Sequence, residues 1–324
     1  SIHIMPIKTV FLVCLLFQCF SCNNTSKRER EIADIDVRID VERFDILFSE
    51  ATPKTLSKLM SDYPFMFSRT IADSVWIRRI KDTLRQQLSQ EIQKVHKNFQ
   101  PIESEINMFF KHLQYYYPTF NEPRVITFSD LIDYRTKVFV TDSITLIALD
   151  TYLGKDHQFY GNIQKYLRQN FEASQIVSDL AFAYAEQRIY QAPRKSLVDE
   201  MIYFGKILYF KDVMIPFKTD EEKIGYTEDE LSWARQNEKS MWEFFIEREM
   251  LYDTNAQLTG RFINAAPFTK FNLQFDSESP GRLGQYVGWQ IVRSFMKNND
   301  IKLNKMLQMD ALEIFSKSRY KPRK

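Results

Sequence analysis

Pro-Arg-Lys-Ser-Leu-Val-Asp-Glu-Met-Ile-Tyr-Phe-Gly-Lys-Ile-Leu-Tyr-Phe, residues 193–210, is the stretch whose reading decides the fold. Leu197, Met201, Phe204 and Leu208 recur at helical spacing, with Val198, Ile202 and Tyr209 as a second stripe beside them. Together the stripes cover more than half of a helix surface, so the spacing predicts a buried central helix. Pro193 suits its first turn, where a missing N–H costs nothing. One narrow face stays polar: Ser196, Asp199, Tyr203 and Lys206. Such a face either lines a cleft or holds an internal hydrogen-bond network. That alternative separates an enzyme from a non-catalytic protein, and the sequence leaves both open.

Working outward, the chain has 324 residues, is 44% hydrophobic and has a net charge of +2. It can build one large core, and its balanced charge carries no nucleic-acid footprint. Only 8 Gly and 11 Pro interrupt it, which favours helices. Ile71–Phe99 reads as a long helix with breaks, and Ile102–Tyr117, Val177–Ala192, Ile224–Glu247 and Ile301–Phe315 read as further helices. Val37, Ile39 and Val41 alternate as a short strand. Arg124–Phe128, Lys137–Val140 and Ile144–Leu149 read as a small sheet. The predicted class is α+β, mostly helical, with one domain over residues 36–324.

The amino-terminal segment predicts export. Met5 reads as the start, Lys8 supplies a positive charge, and Val10–Phe20 is an apolar run too short to cross a bilayer. Cys19-Phe20-Ser21-Cys22 closes it, and a small residue directly before a cysteine resembles a bacterial lipobox. The resemblance implies residues 1–22 as signal peptide and lipobox, with Cys22 lipidated after cleavage. Acyl chains at ~0.8 kcal/mol per buried CH₂ then give stable anchoring. Acidic residues just after a lipidated cysteine resemble a surface-export signal; none follows Cys22 at once, so the resemblance implies a periplasm-facing lipoprotein, expected on the outer membrane. Residues 23–35 read as a polar tether. All 3 cysteines lie in this segment, so the body is expected to have no disulfide.

Metal chemistry is poorly supplied. Zinc peptidases place His-Glu-x-x-His on one helix, with both imidazoles on one face and the glutamate activating a bound water. The comparable stretch here is Asp199-Glu200-Met201-Ile202-Tyr203, which keeps Glu200 as a candidate catalytic residue and lacks both imidazoles. Asp150, Asp156 and His157 sit in a turn, where local hydrogen bonding is their common role. His96 lies among Lys94, Lys97 and Asn98 and reads as solvated; His112 reads as structural. No metal or cofactor is expected. Asp199, Tyr203, Glu238, Trp242, Arg282 and Trp289 are the candidates to line a cleft. Gly284 and Gly288, one turn apart, predict close backbone packing, with Gly205 of the central helix as the facing patch. The basic tail Lys317–Lys324 reads as solvated.

The sequence resembles the GldB family of gliding-motility lipoproteins. The resemblance is carried by Leu149–Tyr160, Leu197–Phe210, Ile224-Gly225-Tyr226, Asn237-Glu238 with Trp242, Arg261-Phe262-Ile263, Ala266-Pro267-Phe268 and Ser279–Arg293. It implies a lipid-anchored envelope protein with motility or secretion proteins as partners. That family is distantly similar to zincin-fold predicted zinc peptidases, which implies a degenerate zincin-like domain. Three functions follow as expectations: a non-catalytic accessory protein, a hydrolase using Glu200, or a binder of peptides or cell-wall fragments.

Overall fold

The computed structural model describes residues 26–190, 193, 195–273 and 276–323, so the lipobox and Cys22 lie outside the described residues. The chain divides into two units, residues 1–36 and 37–324. In the first, Ser26 caps a helix at Lys27–Ala33, its hydroxyl accepting from Glu29 N at 3.2 Å. Lys27 and Glu31 pair one turn apart, at 3.7 Å. The stretch read as a plain tether thus carries a short, charge-paired helix.

In the second unit, β1 (Val41–Glu42), β2 (Arg124–Phe128), β3 (Val138–Val140) and β4 (Ile144–Ala148) form one sheet in the order β1-β2-β4-β3. β1, β2 and β4 run parallel, and β3 returns antiparallel on β4. The alternation from Val37 predicts more strand than forms. Ile39 N–H is taken by Asn107 Oδ1 at 3.0 Å and Val41 N–H by Glu103 Oε2 at 3.1 Å, both from the helix Gln100–Tyr116. Side chains there satisfy the backbone in place of a neighbouring strand.

Helix breaks fall where a capping aspartate or threonine competes with continuation. The segment after Ile71 forms Asp73–Ile80 and Thr83–Val95, divided where Asp82 accepts from Arg85 N at 3.0 Å. The expected last helix likewise becomes Leu303–Gln308 and Ala311–Ser318, divided at the Asp310 cap. Residues 224–247 hold Glu228–Gln236, capped by Thr227, and Glu238–Glu247.

The central helix runs Leu197–Met214, 18 residues. It begins after Ser196, four residues beyond Pro193, because Ser196 and Asp199 cap one another. Asp199 N donates to Ser196 Oγ at 3.4 Å and Ser196 N to Asp199 Oδ2 at 2.9 Å. The helix is buried along its length, as its two stripes predict. Its broadest contact is with Leu283–Asn298, followed by Ile176–Glu186 and Ala311–Ser318. Ile176–Glu186 is itself the helix packed on β3, so it stands between the central helix and that strand.

Glycine makes the main seam possible. A Cβ on Gly288 would overlap the Met201 carbonyl, and one on Gly205 would overlap the Gly288 carbonyl. Gly284, expected to share that seam, instead meets the Phe262 carbonyl and the Ile263 side chain.

Several charges inside the fold are tied down. Arg293 forks onto Asp212 and Asp220, with its shortest bonds to Asp212 at 2.7 Å, and stacks 3.7 Å over the Trp289 ring. Two central-helix lysines are enclosed, and burial pulls Lys206 down to about 8 and Lys211 to about 7. Lys206 donates to the carbonyls of Leu307 and Met309.

Two surface expectations are corrected. His96 is only 1% exposed. Burial, then the Arg43 guanidinium, holds its pKa at about 4. The basic tail docks: Ser318 is buried, and Tyr320 Oη and Arg323 N both donate to Glu238 Oε1.

Candidate functional site

The residues expected to line one cleft are spread over separate places. Asp199 and Tyr203 do share a small cavity of about 40 Å³ with Lys206, Tyr190 and Asp310. Asp199 Oδ2 is engaged there by Lys195 N, Ser196 N and Ser196 Oγ. Tyr203 Oη donates to Glu186 at 3.3 Å. Glu238 and Trp242 come together elsewhere, around the docked tail. Glu238 is 2% exposed and accepts from Tyr286 Oη at 2.8 Å and Tyr320 Oη at 2.9 Å, while Trp242 stands edge-on to Tyr320. Arg282 donates to the carbonyls of Ile224 and Gly225, at 2.7 and 2.9 Å. Trp289 is buried, with Nε1 donating to Asp212 at 2.9 Å. Glu200 lies half-buried on the central helix, outside the lining of every cavity described here.

Nucleophile and metal arrangements fare similarly. Lys211 Nζ lies 2.9 Å from Ser178 Oγ, the spacing of a serine–lysine pair. Ser178 is 1% exposed, however, and its hydroxyl donates to the Glu222 carbonyl at 2.8 Å, so the pair is closed to a substrate. Asp150 is buried, and His157 faces Glu91 at 3.0 Å. Among the described residues, no three or more His, Cys, Asp or Glu are grouped to hold a metal ion.

The arrangement best suited to a ligand lies where none of those candidates is. A cavity of about 310 Å³ opens at the carboxyl ends of β1 and β2, the edge where open α/β sheets take their ligands. Phe44, Phe48, Trp76 and Phe128 make its apolar wall. That wall belongs to an aromatic core cluster in which Phe67 meets Trp76 edge-on at 5.0 Å and Phe44 meets Tyr63 at 5.0 Å. The cluster holds the rings in fixed orientation.

Polar groups in this cavity fall into two kinds. Asp45 is structural: Arg43 grips it through two bonds of 2.9 and 2.8 Å, and Thr127 also donates to it. Arg79 and Arg85 are different. Neither guanidinium makes a hydrogen bond or ion pair with a described residue, and Arg79 rests 4.7 Å over the Trp76 ring. A guanidinium presented beside an apolar wall suits a carboxylate or phosphate on an otherwise apolar ligand.

The turn that continues from the cavity wall is strained. Leu131 and Ile132 follow the lining residues Ser129 and Asp130 and have φ of 52° and 62°, and for a β-branched residue this is an outlier. Asp150 holds the turn, its Oδ2 accepting from Asp130 N at 3.0 Å and Ile132 N at 2.6 Å. Burial raises the pKa of Asp150. Strain held by a buried side chain beside a cavity is a common mark of a functional edge. The sequence showed Arg43-Phe44-Asp45 after a strand and Trp76 on a helix, yet nothing local joined them. The aromatic cluster does so, with Phe67 packed against both Phe44 and Trp76.

No curated protein and no solved structure matches this chain. Among the described residues no helix is long and apolar enough to cross a membrane. A family model described as Gliding motility protein GldB matches residues 25–322, nearly the whole length, and the chain belongs to that family.

Proposed function

We propose that this chain is a lipid-anchored, periplasm-facing protein of the outer membrane that works by binding rather than by bond breaking. Its cavity at the sheet edge holds a short peptide segment of an envelope motility or secretion partner. An apolar side chain of that segment lies on Phe48 and Trp76, and a carboxylate meets Arg79 and Arg85. The observation that carries this reading is the pair of uncommitted guanidiniums beside a rigid aromatic wall. The family supports the envelope setting. Glu238 and Asp199, two of the carboxylates a hydrolase reading would enlist, are engaged in holding the fold. A degenerate zincin framework adds nothing to this reading, since the cavity stands apart from the central helix.

A photo-crosslinking residue at Phe65 tests it. Phe65 lines the cavity and is 42% exposed. In cells carrying the full anchored chain, the probe is expected to capture a discrete partner peptide. Capture should disappear with the double charge reversal Arg79→Glu, Arg85→Glu. Labelling at Phe65 no stronger than at Leu312, outside the lining, would overturn the proposal.

A further inference from the structure

A further cavity, of about 340 Å³, lies where three connections meet. Tyr117, Thr119, Phe120 and Asn121 come from the segment leaving Gln100–Tyr116, Thr141 and Asp142 from the β3–β4 turn, and Tyr184, Gln187 and Arg188 from the end of Ile176–Glu186. Arg188 is its centre. The guanidinium is clamped between two rings, 4.7 Å from the Tyr117 centroid and 5.3 Å from that of Tyr184. Its Nη1 donates to the Tyr184 carbonyl at 2.9 Å. That is one of five donors.

The rest of the group is unmatched. Nε is buried with no hydrogen-bond partner among the described residues, and no described carboxylate stands within ion-pair distance of Arg188. The Tyr117 hydroxyl, lining the same cavity, is likewise buried and without a partner. Burial lowers the pKa of Arg188 and raises that of Tyr117 to about 12, so at neutral pH the first stays a cation and the second a donor. Asp142, exposed on the same rim, limits how much negative charge the site welcomes. A buried guanidinium usually faces an anion, and a buried hydroxyl usually has a partner. Two such orphans on one cavity wall share a natural solution.

We propose that this cavity is an anion-binding site, separate from the sheet-edge cavity, in which the Arg188 guanidinium and the Tyr117 hydroxyl donate to a carboxylate or phosphate group of a small ligand. The flanking rings keep the guanidinium aimed, so little side-chain freedom is lost when the anion arrives.

Calorimetric titration of the full chain at constant ionic strength, with inorganic phosphate and separately with acetate, tests this. Saturable binding of at least one of them, one per chain, is expected. Phosphate alone binding points to a phosphoryl source, acetate alone to a carboxylate source, and both to a general anion subsite. Arg188→Gln should weaken binding at least about tenfold, about 1.4 kcal/mol. Tyr117→Phe should weaken binding while leaving the melting temperature of the unliganded chain unlowered, since its hydroxyl has no bond to lose. Should Arg188→Gln fail to fold, Tyr117→Phe decides. Binding of neither anion by the unaltered chain, or unchanged affinity in Arg188→Gln or in Tyr117→Phe, overturns the proposal.

Discussion

Adding one methyl to Gly288 or Gly205 puts the packing of Leu197–Met214 against Leu283–Asn298 to a severe test. A Cβ on Gly205 would stand 2.5 Å from the Gly288 carbonyl carbon and 3.0 Å from Trp289 N; one on Gly288 would stand 3.0 Å from Met201 Cα. These neighbours are backbone atoms and cannot rotate away. Ordinary carbon contacts lie at ~3.5–4.0 Å, so the helices must part by about 1 Å or more. A gap of that size forfeits roughly half of the dispersion well along the facing side chains. Met201, Trp289, Val292 and Phe295 are among the fully buried residues of these two helices. Each single Ala variant should therefore cost about 3 kcal/mol or more, the upper end for overpacking. That is a large share of the ~5–15 kcal/mol that holds a typical domain. One separation relieves both overlaps, so the double variant should cost much less than the sum. Gly260 is the control: it lies on the exposed side of the helix Gln257–Phe262 with no atom within 4 Å of an added Cβ, and Gly260→Ala should stabilise by ~0.5–1 kcal/mol. Urea unfolding followed by tryptophan fluorescence reads all four variants. Losses under about 0.5 kcal/mol for both Gly205→Ala and Gly288→Ala would refute the close-seam argument.

Other expectations follow from single groups. The folded pKa of His96, about 4, lies below its ordinary 6.5. Between those values the unfolded chain takes up a proton that the folded chain refuses, so stability falls as pH drops from 6.5 to 4, by up to roughly 3 kcal/mol. His96→Gln should flatten that part of the stability–pH curve; an unchanged slope counts against it. Glu238→Ala strands the Tyr286 and Tyr320 hydroxyls and the Arg323 N–H, and should cost about 3 kcal/mol or more. It should also release the tail to trypsin at Arg319, and an equally protected tail would contradict the docking role. Asp199→Ala removes the carboxylate half of the Ser196–Asp199 capping box and should cost ~1 kcal/mol, with envelope function retained. Loss of function at unchanged stability would return Asp199 to the list of site residues.

Periodicity carried the fold further than it carried the site. The two stripes of residues 197–209 announced a buried helix, and the β-rich runs after Arg124 announced the sheet, because burial on a helix or strand repeats along the chain. Helix ends were less legible. They rest on single caps such as Asp82, Asp310 and the Ser196–Asp199 pair, which compete with strong apolar patterns on either side. His96 looked solvated from its polar neighbours, although in space it is enclosed and its own carbonyl accepts from Arg43 Nη1. Of the expected cleft residues, Asp199, Tyr203 and Glu238 were grouped by analogy with a metal-binding helix. The real partners of several cleft candidates are distant in sequence: Tyr320 for Glu238, Ile224 for Arg282, Asp212 for Trp289. The sheet-edge cavity draws on residues from Phe44 to Asp130, and Arg79 stands out only through what it fails to pair with. Absence of a partner leaves no trace in a sequence.

The most direct measurement sets binding against bond breaking in a strain whose own copy has been deleted. Restoration of the envelope or motility phenotype is scored for Glu200→Gln and for the double variant Arg79→Glu, Arg85→Glu, with folding and anchoring verified for each. Full restoration by Glu200→Gln and none by the charge-reversed cavity is the predicted result. Restoration by the charge-reversed chain, with Glu200→Gln inert, would contradict it.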